Sequence, residues 1–166
     1  MKVLGIDPGT ANWGYGIVHE SGGRLREVAH GARTTSAADP PALRLKAIHD
    51  AVTALIAEHE PDAVVLEESF VGADARTALF VGQARGAVLV ACARANAACA
   101  EYAPAAIKQS VCGYGRADKA QVQRMVKAIL GLADTPRPTH AADALAVAVC
   151  HALASPLQRT LQGAGR

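Results

Sequence analysis

The hydrophobic pattern of the first part of the chain predicts three short strands in succession. An apolar run, "VLGI", ends abruptly at Asp7, "PG" turns the chain, and residues 13–18 resume an alternating, strand-like pattern. A second turn, "SGG", leads into "RLREVAHGAR", which continues as a third strand. Because short turns join neighbouring antiparallel strands, we expect these three to pair in order.

The rest of the chain combines helical and strand patterns. Apolar residues at helical spacing predict a helix that opens at Pro40-Pro41 and ends near Glu60. The later elements are, in order, a strand in "DAVVLEE" (62–68), a long helix over 74–97, a strand in "AACAEYA", a short helix in "APAAIKQSV", a helix from Asp118 to Leu130 and a final helix from His140 to Ala154. Thr139 is the expected N-cap of the final helix. The expected inward residues of the preceding helix are Val122, Met125, Val126, Ile129 and Leu130.

These elements predict one α/β domain with a mixed, five-stranded sheet, three antiparallel strands followed by parallel ones, flanked by helices. We assign it to residues 1–154, and we expect the polar tail at 155–166 to be disordered. The long helix contains Gly82 and Gly86, each of which costs about 1 kcal/mol relative to Ala. Close approach of another backbone would compensate, from a second copy of the chain or from the sheet.

Composition excludes several classes of protein. The four cysteines form no C-x-x-C pair, so we expect reduced core thiols rather than a metal knuckle or a disulfide framework. The chain has no segment resembling a signal peptide, and its apolar run "GAVLVACA" is too short to cross a bilayer, which favours a cytoplasmic protein. Residues 101–166 carry 8 Lys/Arg against 4 Asp/Glu, a net charge of +4, which points weakly toward an anionic partner.

Two acidic residues end apolar strands. A right-handed crossover would make the first strand parallel to "DAVVLEE", so that Asp7 and Glu67 face one crevice at the carboxyl edge of the sheet. Two carboxylates brought together repel unless a cation or proton lies between them, and Mg²⁺ or Mn²⁺ suits such oxygen ligands. The simpler interpretation is that Asp7 only helps to form the Asp-Pro-Gly turn.

The final helix adds two more candidates. Asp143 lies in an Ala-rich apolar helix, where an unpaired buried charge would be costly, and His140 lies three residues earlier on the same face. Alternatively, both are first-turn residues in contact with solvent, with Asp143 favoured there by the helix dipole.

The basic residues fit a polyanionic partner. Lys119, Gln123 and Lys127 recur every four residues on the expected outer face of their helix, with Arg116 and Lys108 upstream. Most such stripes are solvated helix faces. Phe70, three residues after Glu67, is either a core residue or an exposed ring that stacks on a nucleobase.

Five stretches in this order resemble the RuvC family of Holliday-junction resolvases: "GIDPGT...GYG", "VVLEESF", "GQARGAVLVA", "YAPAAIKQSVCGYGRADKAQVQ" and "HAADALAVAVCHA". The resemblance covers nearly the whole chain. It implies an RNase H-like fold, a homodimer, and Mg²⁺- or Mn²⁺-dependent nicking of symmetric strands at a four-way DNA junction, with two ions per active site. It also implies a role in recombination and repair in a bacterial cytoplasm, with the RuvA and RuvB branch-migration proteins as partners.

By this resemblance, Asp7, Glu67 and Asp143 are catalytic metal ligands, Lys108 and Lys119 lie near the DNA, and Phe70 meets bases at the junction. His140 stands where many relatives carry a fourth Asp. An imidazole can still bind a metal or accept a proton, but it removes one negative charge, so we expect a site that leans toward Mn²⁺.

Two other functions are also possible interpretations of this sequence. "GIDPGT" also resembles the first phosphate loop of actin-like kinases, although 166 residues cannot hold both domains that clasp a nucleotide, and the chain has no second glycine-rich phosphate motif. A non-catalytic junction-binding protein is the other alternative. It would gain nothing from acidic residues facing phosphates.

Overall fold

A computed structural model describes residues 1–68 and 75–154. The strands are β1 (Lys2–Asp7), β2 (Asn12–Ser21), β3 (Arg24–Thr34), β4 (Ala63–Glu67) and β5 (Cys99–Tyr102), and the helices are α1 (Pro41–His59), α2 (Ala75–Arg94), α3 (Pro104–Cys112), α4 (Lys119–Leu130) and α5 (Thr139–Leu153). They occur in the predicted order. The expected tail at 155–166 lies outside the described residues.

The five strands form one mixed sheet in the order β3-β2-β1-β4-β5. The pairs β1–β2 and β2–β3 are antiparallel, whereas β4 runs parallel to both β1 and β5. The predicted sheet is therefore confirmed, including the crossover that makes β1 and β4 parallel.

Each face of the sheet is covered by helices, and strand alternation divides the core in two. Val3 and Val65 pack with residues of α3, α4 and α5 on one face. Leu4 and Leu66, their neighbours along the strands, pack with α1 and α2 on the other. Because successive side chains of a strand point to opposite faces, every odd-numbered position of β1 and β4 faces α5.

Helix α5 lies directly on the sheet because the strands beneath it carry glycines. Gly5 and Gly16 are partners across the β1–β2 pair. A Cβ atom on Gly5 would lie 2.1 Å from the carbonyl oxygen of Ala144, and one on Gly16 would lie 2.6 Å from the side chain of Leu145. Real side chains do not come this close, so only glycine allows the helix to pack here.

Two details of the predicted helices are wrong. Thr139 is the first residue of α5 and not its N-cap, because the amide of Ala141 already bonds to the carbonyl of Pro138, which takes the cap position. Met125 is 38% exposed, because α4 buries only a narrow stripe of its surface. That stripe comprises Val122, Val126 and Leu130.

The glycines of α2 do not contact the sheet. A Cβ atom on Gly82 or Gly86 would meet no other atom within 4 Å among the described residues. The buried face of α2 is formed instead by Ala84, Val88, Ala91 and Cys92. Packing of these glycines on the sheet, one of the two alternatives, is therefore wrong.

All four cysteines lie in the described part of the chain, and all are free thiols, as expected. Only Cys92 and Cys150 are buried, whereas Cys99 and Cys112 are half-buried. Within residues 1–68 and 75–154, no helix has the length and apolar character needed to span a membrane.

Candidate active site

Asp7 and Glu67 end two neighbouring parallel strands. The β1–β4 pairing runs to Ile6 and Leu66, so the next residue of each strand lies at the carboxyl edge of the sheet. Both acidic residues occupy odd-numbered positions, which face α5. The predicted crevice therefore exists, with both carboxylates on the same face.

Gly14 brings the start of α5 to this crevice. It is the cross-strand partner of Asp7, and a Cβ atom there would lie 2.0 Å from the carbonyl oxygen of His140. With no side chain in the way, the helix lies against β2, and the Nδ1 atom of His140 comes 2.7 Å from Oδ2 of Asp7. An imidazole whose Nδ1–H donates to this carboxylate carries its lone pair on Nε2.

Asp143 completes a compact group one helical turn later. Ligand atoms of Asp7, His140 and Asp143 all lie within 4.8 Å of one another. The side chains of Asp7 and Asp143 are each 20% exposed, whereas that of His140 is 44% exposed. His140 and Asp143 therefore face the first-strand carboxylate. His140 is also, as the alternative expected, a first-turn residue in contact with solvent, whereas Asp143 lies beyond the first turn.

The two strand carboxylates are electrostatically unfavourable in the absence of a bound cation. Burial raises the pKa of Asp7 above its usual value, and this outweighs the hydrogen bond from His140, which lowers it. Burial, and after it the negative charges of Asp7 and Asp143, raise the pKa of Glu67 to about 6, although Lys108 and Lys119 act in the opposite direction. A cation among these groups would relieve both effects.

A cavity of about 210 Å³ connects Glu67 to Asp143. Its charged lining consists of these two carboxylates together with Lys108 and Lys119, and the rest is apolar. The Nζ atom of Lys119 lies 2.6 Å from Oδ2 of Asp143. Lys119, the first member of the expected stripe with Lys127, has a side chain that is 56% exposed, as expected for the outer face of α4. From the start of the helix it also reaches the acidic site.

Two further predicted DNA contacts, Arg116 and Lys127, do not line this cavity. Arg116 is exposed in the loop between α3 and α4. Lys127 lines a different cavity, shared with Glu27 and Arg137. Phe70 lies outside the described residues, so its two alternatives, core residue or stacking ring, both stay open.

Sequence reasoning missed the residues that support the acidic site. The glycines in "WGYGIV" had a readable signal, because glycine inside a strand indicates close approach of another backbone. Arg85 had no such signal. Its guanidinium donates to the carbonyl oxygen of Glu67 from α2, 18 residues along the chain, and also pairs with Glu101.

The residues of the cluster fit a divalent metal. Carboxylate oxygens suit Mg²⁺ and Mn²⁺, and an imidazole nitrogen is a better ligand for Mn²⁺ than for Mg²⁺. The raised pKa values of Asp7 and Glu67 reflect burial and neighbouring negative charge, which a positive ion would offset. The arrangement can therefore position a metal ion against a phosphate, with Lys108 and Lys119 beside it.

Comparison with known proteins agrees with this geometry. The family profile described as "Crossover junction endodeoxyribonuclease RuvC" matches residues 3–151. A protein of that name from Chloroflexus aggregans is 52% identical over 160 residues, which are 96% of this chain and 98% of that protein. Another, from Moorella thermoacetica, is 48% identical over the full length of both chains.

A solved structure is similar as well. The structure described as "T. thermophilus RuvC in complex with Holliday junction substrate" superimposes with a TM-score of 0.87 at 37% sequence identity, covering 96% of this chain and 98% of that one. This likeness confirms the RNase H-like fold that the five stretches implied.

Proposed function

This chain belongs to the RuvC family of crossover junction endodeoxyribonucleases, and we propose that it resolves four-way DNA junctions by paired, metal-dependent hydrolysis of phosphodiester bonds. Its role would lie in homologous recombination and DNA repair. The cluster of Asp7, His140 and Asp143, with ligand atoms all within 4.8 Å, supports this function most directly. A protein that only bound DNA would gain nothing from negative charge facing phosphates.

The proposed metal site holds two ions, either Mg²⁺ or Mn²⁺. Asp7 would contribute to holding both, Glu67 to one, and Asp143 with His140 to the other. When bound, the ions would supply an activated water and stabilise the leaving oxygen, producing 5′-phosphate and 3′-hydroxyl ends. Both strand carboxylates are held on the α5 face before DNA arrives, so their positions need little rearrangement.

Lys108 and Lys119 would neutralise the phosphate at the cleavage site. Both line the cavity that also contains Glu67 and Asp143. In the structure Lys119 pairs with Asp143, so it lies beside a proposed metal ligand. A cation at this position would lie beside a phosphate that entered the cavity.

Three further DNA contacts are part of the proposal. Arg116 is exposed beside α4 and suits a contact with the phosphate backbone. Lys127 has weaker support, because its cavity also contains the acidic residues Glu27 and Asp134. Phe70 is proposed from the family resemblance alone, as a ring that meets bases at the junction.

We propose that the protein is a homodimer whose interface includes the outer face of α2. Leu79, Leu89 and Val90 are exposed there, and Gly82 and Gly86 leave room for a second backbone. A four-way junction has two equivalent strands to cut, and a two-fold dimer provides two identical sites.

The assignment of residues 1–154 to a single nuclease domain also stays a proposal. By family membership we further propose the RuvA and RuvB branch-migration proteins as partners. The proposed place of action is the bacterial cytoplasm, where the DNA substrate lies.

His140, which stands where many relatives carry Asp, leads to a metal preference that can be measured. A neutral imidazole contributes less negative charge than Asp and binds Mn²⁺ better than Mg²⁺. We expect the ratio of nicking rates in Mn²⁺ and Mg²⁺ to fall in His140→Asp. An unchanged ratio would rule this preference out.

The function is tested by nicking of a synthetic mobile four-way junction and of a matching linear duplex, with Mn²⁺, Mg²⁺ or EDTA. We expect paired, metal-dependent nicks on the junction only, and their loss in Asp7→Asn. Tight junction binding with no nick in any metal would instead indicate a non-catalytic binding protein. ATP binding in the absence of DNA would favour the actin-like alternative.

A further inference from the structure

The guanidinium of Arg85 joins α2 to the ends of two strands. Its Nη1 atom donates to the carbonyl oxygen of Glu67 at 3.2 Å, and its Nη2 atom lies 2.5 Å from Oε1 of Glu101 on β5. The side chains of the pair are only 17% and 28% exposed. Cys99, two residues before Glu101, packs with the α1 and α2 core, so Glu101 points to the face opposite α5.

The Glu67 carbonyl lacks the sheet partner that it would otherwise have. The parallel β1–β4 register pairs Ile6 with Leu66. Continuing that ladder would direct the amide of residue 8 to the carbonyl of Glu67. Residue 8 is Pro8, which has no N–H. Arg85 therefore supplies the donor that the strand cannot.

We infer that Arg85, oriented by Glu101, is a positioning residue for the Glu67 carboxylate. The inference rests on the proposed role of Glu67 as a metal ligand. The carboxylate of Glu67 faces α5 and the acidic site, whereas its backbone carbonyl is held by Arg85. Fixing this peptide at the end of β4 limits the directions in which the side chain can leave the strand.

The need for a fixed backbone follows from the charge at this position. The carboxylate of Glu67 shares this site with those of Asp7 and Asp143, whose negative charges repel it. Without Arg85, the peptide between Glu67 and Glu68 would keep only the bond from the Glu68 amide to the carbonyl of Tyr102. It would then yield more readily to this repulsion and turn the carboxylate away. Arg85 opposes that movement from the other face of the sheet.

Arginine suits this task better than lysine. A planar guanidinium presents several donors in a fixed fork, so it can bind a carboxylate and a carbonyl at the same time and in a set geometry. A lysine has one nitrogen on a flexible chain, which would favour the Glu101 carboxylate over the neutral carbonyl. Arg85→Lys should therefore keep the ion pair but weaken the hold on Glu67.

The test compares Arg85→Ala, Arg85→Lys and Glu101→Gln with Glu67→Gln. Mn²⁺ affinity is measured without DNA, from the electron paramagnetic resonance signal of free Mn²⁺, alongside the melting temperature and single-turnover nicking of a four-way junction. Loss of a group that orients a metal ligand typically lowers metal affinity or activity by about 10- to 100-fold. We expect that loss in Arg85→Ala, with smaller losses in the two conservative variants.

Two controls separate positioning from general stability. Glu27→Gln removes a half-buried pair with His30 on β3, away from the site, and should leave Mn²⁺ affinity unchanged. Guanidinium ions added at low millimolar concentration should partly restore Mn²⁺ affinity in Arg85→Ala but not in Glu67→Gln. If Arg85→Ala does not fold, Arg85→Lys and Glu101→Gln still decide the question.

Each outcome has a definite meaning. A lower melting temperature with wild-type Mn²⁺ affinity and nicking in all three supporting variants would overturn the inference and leave a purely structural ion pair. If Glu67→Gln itself bound Mn²⁺ and nicked normally, the proposed role of Glu67 would fail instead. Weakened Mn²⁺ binding in both sets of variants, with guanidinium rescue, would support the positioning role.

Discussion

Two groups of glycines in this chain have opposite surroundings. Gly5, Gly14 and Gly16 lie beneath α5, and a Cβ atom on any of them would lie within 2.6 Å of that helix. Gly82 and Gly86 lie on α2, where a Cβ atom would meet nothing within 4 Å among the described residues. The first group packs against α5 within the fold, whereas the second faces away from the other described residues.

The difference shows how one residue type can indicate two kinds of contact. Glycine beneath α5 brings His140 and Asp143 to a strand carboxylate, so the contact builds the candidate active site. Glycine on α2 lies beside exposed Leu79, Leu89 and Val90, a pattern that suits a second protein chain. Alanine substitutions in the two groups should have opposite effects on the free energy of unfolding.

The largest expected effect comes from Gly14→Ala. Its Cβ atom would overlap the backbone of His140, which cannot move aside as a flexible side chain could. Overpacking typically costs about 1–3 kcal/mol, and a shift of about 1 Å in a catalytic group can cost about 100-fold in rate. We expect losses of both kinds, measured by thermal unfolding and by junction nicking. Wild-type nicking would show that α5 does not need this close contact.

The outward-facing group is tested most strongly by Leu89→Glu. A charge placed in an apolar interface would have to be desolvated, so the dissociation constant of the proposed dimer should rise by about 10-fold or more. Sedimentation velocity over a range of protein concentrations measures this change. Leu43→Glu is the matched control, since Leu43 is an exposed leucine on α1 and should leave dimerisation intact. Equal behaviour of the two variants would remove α2 from the interface.

A third prediction concerns the charge of the site that the α5 glycines assemble. The pKa of Glu67 is raised from 4.5 to about 6 in the folded protein, so between these values the folded state binds more protons than the unfolded state. The free energy of unfolding of the metal-free protein should therefore decrease as pH rises through this window. Glu67→Gln removes this contribution and should be the more stable form above pH 6 in EDTA.

Chemical denaturation at a series of pH values measures the difference between wild type and Glu67→Gln. The difference should vanish below about pH 4.5, where the wild-type carboxyl is protonated in both states. Glu58→Gln, which changes a carboxylate with a 71% exposed side chain, is the control and should show no such pH-dependent gain. A variant less stable than wild type at pH 7.5 would contradict an unfavourable charge at Glu67.

The smallest expected effect comes from Gly86→Ala, made in the Leu89→Glu background so that dimerisation does not contribute. With open space around it, Ala should raise the free energy of unfolding by about 1 kcal/mol through its better helix propensity. Gly113→Ala is an informative contrast, because Gly113 also has open space but a φ of 83°, so Ala should destabilise the fold. A loss of stability in Gly86→Ala would mean that α2 contacts more than its described neighbours.

The order of elements and the acidic candidates were predictable from local pattern. Alternation and helical spacing indicated every strand and helix, and a carboxylate at the end of an apolar strand indicated Asp7 and Glu67. Thr139 and Met125 were predicted wrongly, since the exact start of a helix and the width of its buried stripe depend on its neighbours. These errors concern boundaries rather than architecture.

The sequence by itself determined the order of the elements, the antiparallel pairing of the first three strands and the carboxylates at the strand ends, because strand alternation and short turns are local signals. The parallel β1–β4 pair joins distant residues such as Val3 and Ala63, and it was predicted from the general rule for crossovers. Only the tertiary structure decided that Gly14 lets α5 pack beside Asp7, that Lys119 pairs with Asp143 and that Arg85 donates to the Glu67 carbonyl. These contacts join residues 18 to 133 positions apart. No local periodicity encodes them, because they depend on how whole helices pack against the sheet.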